Sequence, residues 1–518
     1  MNLAHRLDRV PSDPLDLLHR LAEPLVLARA GGRLRLTCGA PTRADEVLGW
    51  APPAPVEGLG SPSFRAVHGA RTTYVIGSMA LGIGSVSLVE AAARAGHLAF
   101  FGAAGLSDAV VSAALDELRG LGDRPYGISF VDDPSDPEAT AARAELLIAA
   151  GVPCIEVSGL LRCARALVRL RCAGLRRGAD GRVLSPRRIV AKVSRPEVAE
   201  RFFAPPPARV LRALVRDGAL TPEEARLGAT IPVAEDITCE ADSGGHTDRR
   251  PLAVLLPAVL AVRDRAAATH GYDRELRVGA AGGLGEPQAI ASAYAMGADY
   301  VLLGSVHQAC VEAGTSAAVK RLLAAATVTD TAVAPAPDLF AVGAEVQVLR
   351  RGSSYAAVAR RLAAIYRTYD SLEAIPPEVV QRLEEEVFRA PLAAIWEETA
   401  TYLGGRSPAQ LARVSADPKQ RLCGVFRWYL AKTARWARDG EPERRRDYQV
   451  WTSPAIGAFN AWVVGTRLEA PENRRVADVA EALLRGAAAV RRARALAHVD
   501  GWRLSIAAAS RRHLLAGS

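Results

Sequence analysis

The sequence predicts an α/β fold built on a closed parallel (β/α)8 barrel, and two observations carry that prediction. From residue 72 onward, short apolar strands alternate with amphipathic helical segments. Buried strands alternating with helices belong to a parallel sheet. Eight such strands fall within residues 72–305, a length that suits a (β/α)8 barrel better than an open sheet.

In order, the strands are expected over 74–77, 98–101, 126–131, 154–157, 188–193, 237–240, 277–279 and 300–303. Helices between them are expected over 87–95, 110–119, 137–150 and 287–296. Residues 1–70 read as a small N-terminal cap and linker, with a helix over 15–22, strands over 25–28 and 34–37, and a proline-rich stretch at 51–55. Residues 71–325 form the barrel. The gap before strand six is too long for a simple connection. Its residues 203–230 hold Pro205-Pro206-Pro207 and two helical pieces, and read as an insertion over the barrel mouth. Residues 326–518 are a helical C-terminal region, in which 310–380 continue as helices and loops and 380–500 are helical throughout. Trp396, Trp428, Trp436, Trp451 and Trp462 read as its core.

Composition excludes some classes. With 49% hydrophobic and 23% charged residues, the 518-residue chain is soluble and globular, of two or three domains. No apolar run reaches the roughly 18 residues of a membrane span. The start, MNLAHRLDRVPSDP, lacks the apolar core of a signal peptide, so a cytoplasmic protein is expected. The seven cysteines show no CxxC or CxxH spacing and read as buried thiols of a reducing compartment, with no metal. Residues 401–518 hold 21 Lys/Arg against 10 Asp/Glu, whereas residues 1–400 hold 44 against 46. The positive field thus belongs to the C-terminal region. Arg444-Arg445-Arg446 and Arg491-Arg492 are runs that either meet an acidic partner or form a solvated helical surface. A nucleic-acid role rests on charge alone and is not expected.

The chemistry of such a barrel gathers at the C-terminal ends of its strands. Gly282 and Gly283 close strand seven, and a helix opens near Pro287 with free N–H groups suited to an anion. Gly304 and Ser305 close strand eight. Together these loops make a phosphate grip. Gly77-Ser78-Met79 closes strand one, where a methionine among small residues packs on a flat ring. Lys192, one of four lysines, closes strand five and can meet negative charge on a ring or a phosphate. After strand six comes Glu240-Ala-Asp-Ser-Gly-Gly-His-Thr-Asp248. Ser243, Gly244 and Gly245 leave room for a flat ligand, and His246 supplies a group fit for proton transfer near neutral pH. His307 is a weaker candidate. A phosphate grip, a flat surface and a histidine acid describe a flavin mononucleotide (FMN) site, with the cofactor supplying hydride chemistry.

These residues resemble a known family, the PfaD-type trans-acting enoyl reductases of polyketide and polyunsaturated fatty acid synthases. That family is related to nitronate monooxygenases (2-nitropropane dioxygenases) and flavin-dependent enoyl-ACP reductases. The resemblance rests on residues 96–107, 236–248, 277–285, 304–316, 369–376 and 470–475. It implies an FMN barrel that reduces an acyl-carrier-protein-bound α,β-unsaturated thioester with NADPH or NADH. His246 matches the catalytic histidine. Gly282, Gly283, Gly304 and Ser305 match phosphate-binding positions, and Met79 and Lys192 match positions near the flavin. The chain departs from the family at Ser78 and Leu81, where Gly-Gly-Met-Ala-Asn is usual. It departs again at Ser129, where asparagine is common, and at Glu156-Val-Ser-Gly-Leu160, where Glu-Ala-Ser-Ala-Phe is usual. Two other readings stay open: an oxidase of the nitronate monooxygenase type, and a scaffold that has lost its chemistry. The oligomeric state is open too, a homodimer included.

Overall fold

The computed structural model describes residues 13–39, 46–133, 136–159 and 163–515. Leu160 and the N-terminal stretch 1–12 lie outside them. The barrel strands are β1 (Tyr74–Ile76), β2 (Leu98–Phe101), β3 (Tyr126–Val131), β4 (Cys154–Ser158), β5 (Arg188–Val193), β6 (Asp236–Glu240), β7 (Arg277–Ala281) and β8 (Tyr300–Leu303). All run parallel, and β8 pairs with β1 to close the barrel, with Leu303 opposite Ile76. Each lies within two residues of its expected span. Their residues are almost continuously buried, as a sheet covered by helices on the outside requires.

Local signals explain where the helices begin. Ser85, Ser107 and Asp136 cap the helices Val86–Arg94, Asp108–Leu118 and Pro137–Ala149 by accepting a backbone N–H three residues on. Proline opens the helix Pro287–Ala295.

By compactness the chain divides into two units. One holds Met1–Asp242, Asp248–Gly314 and Ala458–Ser518, and the other holds Ser243–Thr247 and Thr315–Gly457. This division differs from breaks near 70 and 325. In the first unit, the strands Leu25–Ala30, Arg33–Cys38 and Glu46–Ala51 form an antiparallel sheet whose third member the sequence reading lacked. Leu25, Leu27 and Ala51 of that sheet pack with Ala489, Ala493 and Leu496, from the helix Val476–Ala495 and its end. The same helix joins the barrel core through Val479, Leu483 and Ala487. In the second unit, Thr331–Pro335 and Glu345–Leu349 form an antiparallel hairpin where only helices and loops were expected.

The insertion before strand six is present, but not over the mouth. The helix Pro196–Phe203 first carries the chain back from the C-terminal end of β5. The extra helices Ala208–Arg216 and Pro222–Gly228 follow it, so they belong to the N-terminal rim. There Leu211, Leu214 and Leu227 pack on Val168 and Cys172 of the helix Arg165–Cys172.

The N-terminal rim also holds buried charge. Arg277 Nε and Nη2 donate to Asp236 at 2.6 and 3.0 Å, and His68 Nε2 lies 3.0 Å from the same carboxylate. Burial pushes the Asp236 carboxyl up, but Arg277 and His68 outweigh it and hold it well below the usual range. The seven cysteines are free thiols, Cys38 and Cys163 only half-buried. No helix among the described residues is long and apolar enough to cross a membrane.

Candidate active site

The strand order β7-β8-β1 makes neighbours of the loops expected to grip phosphate and ring. Gly77 donates its amide to Leu303 O at 3.0 Å, and a side chain at this position would press on Leu302. Gly282 (φ +87°) and Gly283 (φ +71°) are left-handed, a conformation glycine adopts without strain. A Cβ on Gly282 would lie 2.7 Å from the Ala241 carbonyl carbon, whereas one on Gly283 would meet nothing within 4 Å. Gly304 faces the Met79 Cγ, 3.9 Å from where its Cβ would stand. Its carbonyl accepts from the His307 amide at 2.9 Å, turning the chain through Ser305 into the short helix His307–Ala309.

The loop leaving β1 is locked to the loop leaving β2. Gly84 O accepts from Gly102 N at 2.9 Å, Ala104 O from Leu81 N at 2.8 Å, and Gly102 O from Gly82 N at 2.9 Å. A Cβ on Gly102 would fall on the Met79 carbonyl oxygen. Leu81 itself is left-handed, with φ +60°.

The strands β3 to β6 supply a polar sector at the same rim. The Ser129 hydroxyl accepts the Ala103 amide at 2.9 Å, so this serine fixes the loop after β2. Glu156, fully buried, accepts the Ser78 amide at 3.2 Å and also its hydroxyl. Lys192 Nζ lies 3.7 Å from Glu156 and 3.6 Å from Glu240. Burial pushes the Lys192 ammonium down, but the two carboxylates outweigh it and hold it above the usual lysine value. Lys192, expected to meet a ligand's negative charge, is thus flanked by two carboxylates of the chain itself.

Three further expectations are corrected. The N–H groups that open the helix Pro287–Ala295 are faced by the chain's own Glu286. Burial pushes that carboxyl up, and the amides of Gln288 and Ala289 offset this only in part. His307 is fully buried and bonded to Tyr74 Oη at 2.7 Å, and burial pushes it down to about 3, so it is a neutral structural group. Of the arginine runs, Arg444 donates to Val387 O and Phe388 O at 2.8 and 2.7 Å and lies over the Trp436 ring. Arg492, almost wholly buried, donates to Leu18 O and Arg20 O at 3.1 and 2.8 Å. Arg445, Arg446 and Arg491 remain exposed.

Ser243, Gly244, Gly245 and His246 belong to the second unit. Gly244 packs closely on the chain itself: its Cβ would stand 2.8 Å from the Thr452 amide nitrogen. The Gly245 amide donates to the Ser243 hydroxyl at 3.4 Å. His246 Nε2 lies 3.1 Å from Asp338 Oδ1, and its ring meets Trp451 edge-on, centroids 5.4 Å apart.

Sequence reasoning missed Glu156, Glu240 and Asp338. A carboxylate inside the apolar run Cys154-Ile-Glu-Val157 was a signal for Glu156. Nothing in the sequence marks Asp338.

Residues 67–368 match the nitronate monooxygenase family. The chain belongs to that family. The match places the barrel among oxidoreductases. Residues 369–448 match the inserted helical domain of [acyl-carrier-protein] S-malonyltransferase. The chain is 40% identical over 452 residues to one of the proteins of the polyunsaturated fatty acid synthase of Thraustochytrium, with 86% of this chain and 30% of that protein covered. It is 38% identical over 430 residues to the polyketide biosynthesis protein PksE of Bacillus subtilis, with 83% and 56% covered. It thus spans 30% and 56% of the length of these two relatives. Among solved structures, the enoyl reductase domain of MlnA, from the macrolactin biosynthesis cluster of Bacillus amyloliquefaciens, is 36% identical with a TM-score of 0.81. That match covers 85% of this chain and 99% of that one. The resemblance to synthase-associated reductases therefore holds.

Proposed function

We propose that this nitronate monooxygenase-family protein is an FMN-dependent enoyl reductase. It acts in trans on α,β-unsaturated thioesters carried by an acyl carrier protein, with NAD(P)H as reductant. The observation that carries the reading is the match to the MlnA enoyl reductase domain, which extends over 99% of that domain's length. The residues at the barrel rim fit the cofactor. Gly283 keeps a left-handed backbone beside open space, and Gly304 faces Met79 across a gap without a side chain of its own. When bound, FMN supplies the hydride chemistry between the nicotinamide and the β-carbon of the enoyl group.

The chain's own residues do the rest. Backbone amides at Gly282, Gly283, Gly304 and Ser305 hold the phosphate end. Gly77, Ser78 and Met79 line the flat ring, and Ser129 keeps the neighbouring loop in place. Lys192, flanked by Glu156 and Glu240, stands near the flavin. His246, carried by Ser243, Gly244 and Gly245, gives a proton to the α-carbon. Exposed Arg445 and Arg446 offer complementary charge to an acidic carrier protein.

The test uses the purified protein. A yellow protein that releases FMN on denaturation, bleaches anaerobically with NADPH and recovers colour with a crotonyl-type thioester supports the proposal. Oxygen-dependent turnover of a nitronate, with no recovery by the thioester, overturns it. So does a colourless protein that gains no activity with added FMN.

A further inference from the structure

Asp338 and Trp451 reach His246 from one platform. Asp338 sits in the connection of the hairpin Thr331–Pro335/Glu345–Leu349, which Ala336 N closes onto Ala344 O at 2.8 Å. Arg427 Nε braces that connection at Pro337 O, 3.0 Å away. Trp451 pairs with Val348 on the edge of the same hairpin, and the flanking bonds Leu349 N to Val450 O (2.8 Å) and Thr452 N to Gln347 O (3.3 Å) fix it there. Gly244 lets the histidine loop close onto Thr452. The imidazole is therefore held on two sides by residues far from it in sequence.

The bond to Asp338 also chooses the ring's proton. An ionised carboxylate can only accept, so Nε2 must carry the hydrogen that joins them. Partial burial pushes the Asp338 carboxyl up, but the hydrogen bond and charge of His246 outweigh it and leave it below the usual range. Among the other charged residues of the loop, Asp248 is held by Arg195 at 3.0 Å. Asp242, Arg249 and Arg250 complete the charges near His246 along the chain.

Resting on the reading of His246 as proton donor, we propose that Asp338 is its positioning residue, fixing Nε2–H so that the proton leaves and returns at Nδ1. Asp338 touches no reacting atom. It orients the ring and fixes which nitrogen carries the hydrogen.

The experiment compares Asp338→Asn, Asp338→Glu and His246→Ala in the full chain, with flavin content and circular dichroism as controls. Asp338→Asn is expected to lower kcat about 10- to 100-fold with KM little changed. Asp338→Glu is expected to recover part of that loss. 15N shifts of the His246 ring, assigned with His246→Ala, add a readout independent of turnover. They should show the Nε2–H tautomer in the parent protein and a loss of that preference in Asp338→Asn. An Asp338→Asn protein with parental kcat and ring tautomer overturns the proposal. If Asp338→Asn does not fold, a parental ring that is an Nδ1–H tautomer overturns it equally. His246→Ala separates the two readings. If that variant turns over normally, the proton-donor reading itself fails. If it is inactive while Asp338→Asn is unaffected, only the role of Asp338 fails.

Discussion

Ser78 turns both its amide and its hydroxyl onto Glu156, the amide at 3.2 Å. The loop after β1 is thereby tied to a buried carboxylate on β4, which in turn lies 3.7 Å from the Lys192 ammonium. Removing that carboxylate leaves a half-buried amide without its acceptor and Lys192 with Glu240 alone. Glu156→Ala is expected to cost about 3 kcal/mol, and Glu156→Gln less, because an amide oxygen still accepts from Ser78. Urea unfolding measures both. Equal stability for Glu156→Ala and the parent would show that the network is not structural.

Leu81 holds a left-handed backbone, with φ +60°. A left-handed backbone costs a branched or bulky residue on the order of 1–2 kcal/mol, and asparagine less. Against this, the Leu81 side chain covers Gly105, where a Cβ would approach its Cδ2 to 2.6 Å. The strain exceeds that partial packing, so Leu81→Asn is expected to gain roughly 0.5–1 kcal/mol. Thermal unfolding of the two proteins decides it. A lower midpoint for the asparagine variant would mean that packing on Gly105 dominates.

The barrel was legible because each strand is a short apolar run bounded by a glycine loop or a helix cap. Cys154-Ile-Glu-Val157 even exposed its exception, a carboxylate where a core residue belongs. The rim that receives the insertion was legible in principle. The helix Pro196–Phe203 is complete before Pro205, so the added helices had to lie at the strands' N-terminal ends. What stayed hidden was pairing across distance. Asp338 is 92 residues from His246, and no local pattern couples them. Arg444 and Arg445 are adjacent and identical in type, yet the fold commits one to Val387 O and leaves the other exposed.

The two glycines after β7 have opposite surroundings. Gly282→Ala would drive a methyl group against Ala241 and Asp242, 2.7 to 2.9 Å away, at a positive φ. Gly283→Ala meets open space and pays only backbone strain, about 1 kcal/mol. Under the proposed function, Gly282→Ala is expected to displace the β6 loop and lose flavin, with stability lowered by more than about 2 kcal/mol. Gly283→Ala should fold nearly normally and bind FMN several-fold more weakly, because its methyl group points into the space assigned to the cofactor. Flavin fluorescence titration of both variants is the measurement, and unaltered FMN affinity in Gly283→Ala would move the phosphate elsewhere.

Acid stability reports the Asp236–Arg277 pair. The folded carboxyl lies below its unfolded value of about 3.9. Its contribution is therefore present above about pH 4 and is lost as pH falls toward the folded value. Arg277→Met leaves Asp236 buried with His68 alone, which should cost about 3–5 kcal/mol at pH 6. The gap from the parent should narrow below pH 4, as the carboxyl becomes neutral. Urea midpoints between pH 3 and 6 test this, and a gap independent of pH would assign the loss to packing.

The run Arg444-Arg445-Arg446 separates structural charge from surface charge. Arg444 holds Val387 O and Phe388 O, stacks on Trp436 at 4.4 Å and lies 3.3 Å from Asp447. Arg444→Glu should therefore destabilise the second unit by about 3 kcal/mol, since both carbonyls and Asp447 then face a carboxylate. The double change Arg445→Glu with Arg446→Glu removes only exposed positive charge and should leave stability within about 0.5 kcal/mol. Under the proposed function it should slow association with an acidic carrier protein and flatten the salt dependence of that rate. Stopped-flow association at two ionic strengths reads the second effect, and thermal unfolding reads the first. A double variant with parental kinetics would place the carrier on another face, whereas the destabilisation at Arg444 stands whichever face the carrier uses.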